Sequence, residues 1–391
     1  MHYVAKVHAI DAGDISLFLN ELFEYDEHAK RVDSLANATL GVITSASLAV
    51  HAIGQGLAHA RGLTPKHAVK QVDRLLSNQG VEVDRYFEYW VPHLVGDRES
   101  VRVAMDWTEF PDDDQATLSL SLQTGQGRSL PLLWKTVRLA GLEGGRPAVE
   151  DALLCRLYDV MPDGVAVTII ADRWFGDCAL LELLEGELGF GYVIRIRGNH
   201  YITDAKGERR KAQDWVGSGG RARTLRHIRL TDRNHYPVAT AVCVQDKGMK
   251  EPWCLVASDA EASATTLKAY YAQRWGIEAS FRDLKDLRFG MGMKALRISK
   301  PERRDRLMLL SALAMALLTV LGATGEALGY DRLLKANTVK RRTHSLFRQG
   351  LMLYDWLPRM PEKYFVPLVQ AFAENLARQR GLAIVFALPA K

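Results

Sequence analysis

Residues Val165 to Asp172 read VAVTIIAD, an unbroken apolar and β-branched run that ends on an acid, and its character decides the fold. The run is too short for a helix of its own, so it reads as a buried strand that delivers Asp172 at its end. Working outward, a helix beginning near Pro147 precedes it and another follows through LLELLEGEL, Leu180 to Leu188. The strand GYVIRI, Gly191 to Ile196, comes next. Upstream, from Ser100, the pattern alternates. VRVAMD places Val101, Val103 and Met105 on one face and delivers Asp106 at the strand end. ATLSLSLQ and LPLLWKTVRL follow as two more strands, separated by the turn residues TGQGRS. Three strands, a helix, a buried strand, a helix and another strand make an α/β domain. Both aspartates then stand at strand ends, where side chains converge on a cleft.

The flanks differ in kind. About the first ninety residues read as helical, and Gly62 followed by LTP ends one helix and starts another, with Thr64 as N-cap and Pro65 at the first helical position. On that second helix Ala68, Val69, Val72, Leu75 and Leu76 fall on one side, and His67, Lys70, Gln71 and Arg74 on the other. A helix, a glycine turn and a helix with a basic, amide-bearing face have the form of a helix-turn-helix reader of the major groove; an ordinary solvated helix has the same pattern. Between Gly198 and about Pro252 the α/β pattern is interrupted by a β-rich insertion, with RTLRHIRL and PVATAVCVQD as its clearer strands. PWCLVASD then returns the chain to the main sheet. After Lys300 everything reads as helical. The expected organisation is a helical region over 1–95, a core over 96–198 and 253–300, an insertion over 199–252 and a basic helical region over 301–391.

The composition, 48% hydrophobic and 25% charged, is that of an ordinary soluble protein. No charged start followed by an apolar run marks a secretion signal, and a cytoplasmic location is expected. The longest apolar run, Leu307 to Gly322, contains Ser311 and Thr319 and is short for a membrane span, so it reads as a buried helix and no membrane partner is expected. Four cysteines are scattered without close pairing or flanking histidines, which suggests neither zinc nor a disulfide framework. The net charge of +5 is unevenly spread. Residues 285–391 carry nineteen Lys or Arg against eight Asp or Glu, residues 197–234 ten against four, and residues 1–28 one against six. Two basic blocks around a near-neutral centre suggest a polyanion lying across the molecule, the plainer alternative being solvated surface.

YYAQRWGIEASFRDLKD, Tyr270 to Asp286, carries a further pattern. At about 100° per residue, and with Tyr271 as zero, Arg274, Glu278 and Lys285 fall near 300°, 340° and 320°, so all four share a stripe about 60° wide. Ile277, Tyr270, Phe281 and Leu284 lie beside it as the buried face. Asp106, Asp172 and Glu278 are thus three carboxylates on three elements of one domain. Bringing them together without a cation is costly, because like charges raise one another's pKa. A pair of Mg²⁺ ions, which prefer oxygen ligands and for which Mn²⁺ can substitute, removes that cost and suits in-line phosphodiester chemistry. Tyr271, Arg274 and Lys285 then form a polar rail able to follow successive phosphates. Read alone, the helix is also satisfied by a surface Arg274–Glu278 pair worth a few tenths of a kcal/mol.

In these residues the chain resembles the DDE transposases of bacterial insertion sequences, in the group marked by the signature Y-x2-R-x3-E-x6-K. Tyr271, Arg274, Glu278 and Lys285 meet it without a gap, and VRVAMDWTEF, VTIIADRWFGD, GYVIRIRGN and PWCLVASD are also similar to the family, over roughly residues 100 to 310. The resemblance implies an RNase H-like core with a β-strand insertion, a mixed sheet flanked by helices. It also implies an enzyme that binds the inverted-repeat ends of its element in double-stranded DNA, acts as a synaptic homodimer and uses Mg²⁺ to cut and rejoin DNA. Asp106, Asp172 and Glu278 would be the catalytic metal ligands, and Tyr271, Arg274 and Lys285 would contact DNA near the cut. A regulator of the same fold without catalysis, or a nuclease that cuts without joining, is implied as the alternative. Two departures stand out: Trp107 intervenes between the first aspartate and Thr108, and Trp215, the positional candidate for a tryptophan that receives a flipped base, lacks the matching motif. Glu109, Asp112, Asp113, Asp114 and Asp177 are expected to be solvated loop or helix-start acids.

Overall fold

A computed structural model describes residues 12–23, 29–231 and 235–377. Its frame is one ten-stranded mixed sheet. The strands, in chain order, are β1 (Ser100–Phe110), β2 (Gln115–Gln123), β3 (Ser129–Arg138), β4 (Ala166–Ala171), β5 (Gly191–Ile196), β6 (Tyr201–Thr203), β7 (Arg209–Lys211), β8 (Arg223–Leu230), β9 (Tyr236–Val244) and β10 (Trp253–Ala257). They lie in the order β3-β2-β1-β4-β5-β10-β9-β8-β6-β7. The pairs β1·β4 and β4·β5 are parallel and every other pair is antiparallel. The expected β-rich insertion is therefore no separate sheet. Because β10 pairs with β5 on one side and β9 on the other, the inserted strands continue the main sheet.

β1 runs four residues beyond Asp106, so this aspartate sits inside the strand and not at its end as the sequence suggested. The antiparallel partner β2 carries the pairing on from Asp106↔Ser119 to Phe110↔Gln115, which keeps β1 extended after its parallel neighbour β4 has stopped. Every residue of β2 is buried, although Thr117, Ser119 and Ser121 alternate with leucines. The hydroxyls satisfy one another: Thr117 bonds Thr136 at 2.9 Å and Ser119 bonds Ser121 at 3.0 Å. Cys243 and Cys254, which looked unpaired in the sequence, face each other directly across β9 and β10 as buried free thiols. The register of a hairpin separated by a loop is not visible in residue spacing.

Five helices precede the sheet: α1 (Ala12–Phe23), α2 (Ala29–Ser45), α3 (Val50–Arg61), α4 (Pro65–Ser77) and α5 (Val83–Val95). Gly62 closes α3 in the left-handed region, φ 65°, where a side chain would be strained. Thr64 occupies the N-cap position of α4, but its hydroxyl bonds the His67 ring at 3.0 Å and not the backbone. α2 and α3 meet at 97°. Glycine permits the contacts: a Cβ on Gly54 would stand 2.5 Å from Val69 Cα, so α3 and α4 touch backbone to backbone.

α6 (Arg146–Val160) and α7 (Cys178–Glu182) flank the parallel strands, and α8 (Ala264–Gln273) and α9 (Trp275–Lys285) follow β10. The last helices are α10 (Pro301–Ala327), α11 (Leu346–Trp356) and α12 (Glu362–Ala377). The apolar run that reads as a buried helix is the centre of α10, whose most apolar window is 89% buried inside the protein. One apolar core runs from Ile15 on α1 through the sheet to Phe372 on α12. The seam between α5 and β3 shows why: Trp90 is fully buried and donates to Pro131 O at 2.8 Å, and Phe87 meets Trp134 edge to face at 4.9 Å. A buried aromatic with its polar atom satisfied is the strongest contact available to such a seam.

Candidate active site

Asp106 and Asp172 are neighbours by register. β1 and β4 run parallel with Met105 opposite Ala171, so the next residue on each chain is an aspartate and the two stand side by side where β4 ends. Strand parity fixes the face. Val101, Val103 and Met105 point into the main core, so Arg102 and Asp106 point to the other side, where α8 and α9 lie. Arg102 donates to Gln273 Oε1 at 3.0 Å and stacks on Tyr270 at 4.3 Å. Four residues on, Asp106 meets Arg274 at 3.3 Å, and the same guanidinium holds Glu278 Oε1 at 2.6 Å. The three carboxylates named from the sequence thus belong to one locus, with Arg274 between two of them.

Electrostatics support this placement. The Asp106 carboxyl is pushed up from 3.8 to about 6, first by burial and then by the negative charges of Asp172 and Glu278, while Arg274 works in the opposite direction. Arg274 itself is pushed up: burial opposes its charge, but Tyr271, Asp106, Glu278 and Asp172 together outweigh it. Asp172 accepts from the Trp174 amide at 2.8 Å, which turns the chain sharply after β4.

The polar stripe does not survive as a surface rail. The helix expected over Tyr270 to Asp286 is interrupted for the single residue Arg274, whose backbone stays helical (φ −51°, ψ −34°) and which joins α8 to α9. Arg274 still reaches Glu278 one turn on at 2.6 Å, so what changes is exposure, which periodicity does not report. Small residues explain the burial. A Cβ on Gly276 would lie 3.0 Å from Gln123 Oε1 and 3.2 Å from Arg128 C, and Ser280, one turn further, donates to Ser129 O at 2.7 Å. α9 is therefore held close on the β2–β3 hairpin. Tyr271 is 3% exposed with its ring against Trp253 at 4.8 Å, and burial pushes its phenol up. Neither Tyr271 nor Arg274 lies on an exposed face. Lys285 donates to Glu109 O at 3.2 Å and lies 4.6 Å over the Phe110 ring, and burial, then Lys294 and Arg304, lower its ammonium to about 8.

Other acids near Asp106 take separate roles. Glu109 pairs with Arg146 at 2.6 Å, and Asp177 caps α7 through the Ala179 amide at 3.2 Å. Asp113 was expected to be solvated; its side chain is 7% exposed and bound at 2.5 Å to Arg304, which is fully buried, bonded to Gln115 and stacked on Phe110 at 3.7 Å. Three groups had no signal in the spacing. Trp107 donates to Glu150 Oε1 at 2.7 Å beneath the Arg146 guanidinium, and burial raises the Glu150 carboxyl. Trp174 and Trp275 are 74% and 56% exposed on either side of the carboxylates, Trp174 under Arg197 at 5.0 Å. A cavity of about 660 Å³ opens beside Asp106 and Asp172 between Trp107, Arg146, Glu150 and Trp174. Their aromatic and charged character in DWTEF and DRWFGD was the only available hint.

Trp215 is fully buried, donates to Ile202 O at 3.3 Å and lies between Arg210 and Arg223, so it offers no face to a base. On α4, His67, Lys70 and Arg74 are exposed and Gln71 half-buried. With Lys30, Arg31 and Asn78, the residues His67, Gln71 and Arg74 line a groove of about 600 Å³ between α2 and α4.

The donor set suits a hard divalent cation, being three carboxylates held where negative charge is already in excess around Asp106. The spacing is another matter: among the described residues no three His, Cys, Asp or Glu side chains are grouped as an ion cage, and Arg274 stands between Asp106 and Glu278.

A mixed sheet flanked by helices, with carboxylates gathered where two parallel strands diverge, defines an α/β core of the RNase H-like type. Residues 126–317 match the family model of the transposase DDE domain, a span that holds Asp172, Arg274, Glu278 and Lys285 and begins after Asp106. No curated protein matches the chain.

Proposed function

We propose that the protein is a transposase that binds the inverted-repeat ends of an insertion sequence, cleaves there to leave a 3′-OH and transfers that end into target DNA. The observation that carries this reading is the register of β1 and β4, which sets Asp106 beside Asp172 with Glu278 joined to Asp106 through Arg274. Asp106, Asp172 and Glu278 would hold Mg²⁺, two ions in the working complex, which would supply a nucleophile at neutral pH and charge compensation at the leaving oxygen. The chain's own contribution is to fix the carboxylates on β1, at the end of β4 and on α9, to bring Arg274 to a phosphate beside them and to exclude water around Asp106 by burial. Lys285, bonded to the Glu109 carbonyl, is a second cation. His67, Lys70, Gln71 and Arg74 on α4 would read the duplex, with a homodimer holding two ends and the cytoplasm as its location.

The test is incubation of the full chain with duplex end DNA and Mg²⁺, beside Asp106→Asn and Glu278→Gln. Nicking and strand-transfer products from the parent alone support the reading; equal nicking by both variants refutes it. DNA binding with no cutting in Mg²⁺ or Mn²⁺ would favour a non-catalytic regulator of the same fold.

A further inference from the structure

We infer that Arg274 is the resident counter-ion of the free site, and that duplex DNA must draw its guanidinium away before a divalent ion can bind there with full strength. The inference rests on the reading above, in which these carboxylates are the metal ligands. Among the described residues, Arg274 makes the only ion pair with either Asp106 or Glu278, using one fork nitrogen for each. The other cations nearby are committed elsewhere. Arg146 holds Glu109, Arg173 and Arg195 hold Glu251, and Lys285 is on a backbone carbonyl.

The arrangement is built to be left. A guanidinium brings one positive charge to a locus of three carboxylates, so the locus stays under-neutralised where a dication would not leave it so. Its Nε atom is buried with no partner, which makes the docked position an incomplete fit. The residue sits at the junction of α8 and α9, in a turn where its amide bonds Tyr271 O and its carbonyl accepts from Ile277, both at 3.0 Å. The way out is open as well. Trp275 is 56% exposed with its ring centre 5.6 Å from the guanidinium, so a swing toward solvent passes over an aromatic face. A phosphate at that surface offers a fork acceptor of equal quality. Metal and DNA then bind with positive coupling, each favouring the state in which Arg274 has left the carboxylates, and the coupling is reciprocal.

The experiment titrates the full chain with Mn²⁺ alone, reading bound ion by electron paramagnetic resonance, with and without a short random-sequence duplex. The parent is expected to bind Mn²⁺ weakly alone and about tenfold more tightly with the duplex. Arg274→Gln is expected to bind Mn²⁺ about tenfold more tightly without DNA and to gain little when the duplex is added. Arg274→Lys, which keeps a cation but cannot span both carboxylates, is expected to fall between them, and it carries the test if the Gln variant fails to fold. Mn²⁺ binding by both variants no tighter than the parent overturns the inference, as does parent affinity that the duplex leaves unchanged. Asp106→Asn and Glu278→Gln separate the two failures. If they bind Mn²⁺ like the parent in the presence of duplex, the proposed site itself is wrong; if they lose binding while the Arg274 variants gain nothing, only the counter-ion role falls.

Discussion

Asp106→Asn is expected to make the protein more stable at neutral pH while removing its activity. The Asp106 carboxyl rises from 3.8 to about 6 on folding, chiefly through burial, and this value already includes the attraction of Arg274. A group whose folded pKa lies above its unfolded one opposes folding when ionised. The cost is fully present above about pH 6, declines as the pH falls and is gone below about 4. At about 1.4 kcal/mol per tenfold change in proton affinity, the rise corresponds to an upper limit of about 3 kcal/mol, and the 20% exposure of the side chain trims it toward about 1–2 kcal/mol. Asparagine has nearly the same shape and keeps an oxygen for Arg274, so it removes the charge with little repacking. The assay is urea unfolding of both proteins in EDTA, at pH 7.5 and at pH 4. The variant should show the higher midpoint at pH 7.5 and none of that advantage at pH 4. A variant less stable at pH 7.5, or an advantage of equal size at both pH values, would refute the reasoning.

Arg304→Met should destabilise by about 3–5 kcal/mol, because it strands Asp113, whose side chain is 7% exposed. Adding Asp113→Asn should recover part of that loss in the same denaturation assay. Gly350→Ala should lower Tm although alanine is the better helix former by about 1 kcal/mol: its Cβ would stand 1.9 Å from Leu318 O, and forcing α10 and α11 apart costs about 1–3 kcal/mol or more. Gly186→Ala, with nothing within 4 Å, is the control and should leave Tm nearly unchanged. Trp174→Ala should leave stability within about 0.5 kcal/mol, given 74% exposure, and under the proposed function should weaken DNA binding about tenfold in a filter or anisotropy assay.

What the sequence reveals here is set by how local the governing physics is. The strand VAVTIIAD and the helix over Leu307 to Gly322 announce themselves because most of their residues are buried and apolar, with few polar positions to interrupt the pattern. The pairing of Asp106 with Asp172 was legible as two acids after apolar strands, but the claim that both end their strands failed for Asp106, since β2 rather than β4 decides where β1 stops. The burial of Tyr271 and Arg274 was not legible. Tyr270–Asp286 has sound helical periodicity, and α9 is held inward by Gly276 and Ser280 docking on a hairpin some 150 residues away in the chain. The same limit hid the Arg304–Asp113 pair and the facing cysteines: long-range partners leave no spacing.

The distribution of charge around the site gives the architecture its sense under the proposed function. Asp106, Glu109, Glu150, Asp151, Asp172 and Asp177 all line the cavity beside the carboxylate locus, with Arg146 as its one cation among the described residues, so this cavity by itself repels a phosphate backbone. Affinity for DNA must then come from elsewhere on the molecule, and α4 with its basic groove supplies a candidate surface. Binding carried by such remote cations is governed by counter-ion release, which makes it fall steeply with salt whether or not the site is intact. Cleavage differs in this respect, since it needs the backbone to enter a region whose own acids oppose it until cations compensate them. Salt should therefore weaken binding by the parent and by Glu278→Gln in parallel. Raising Mg²⁺ should restore cleavage at a level of bound DNA where binding itself no longer changes. Binding and cleavage curves that shift together along both axes would mean that one set of charges performs both tasks, contrary to the separation of acidic cavity and basic groove in this fold.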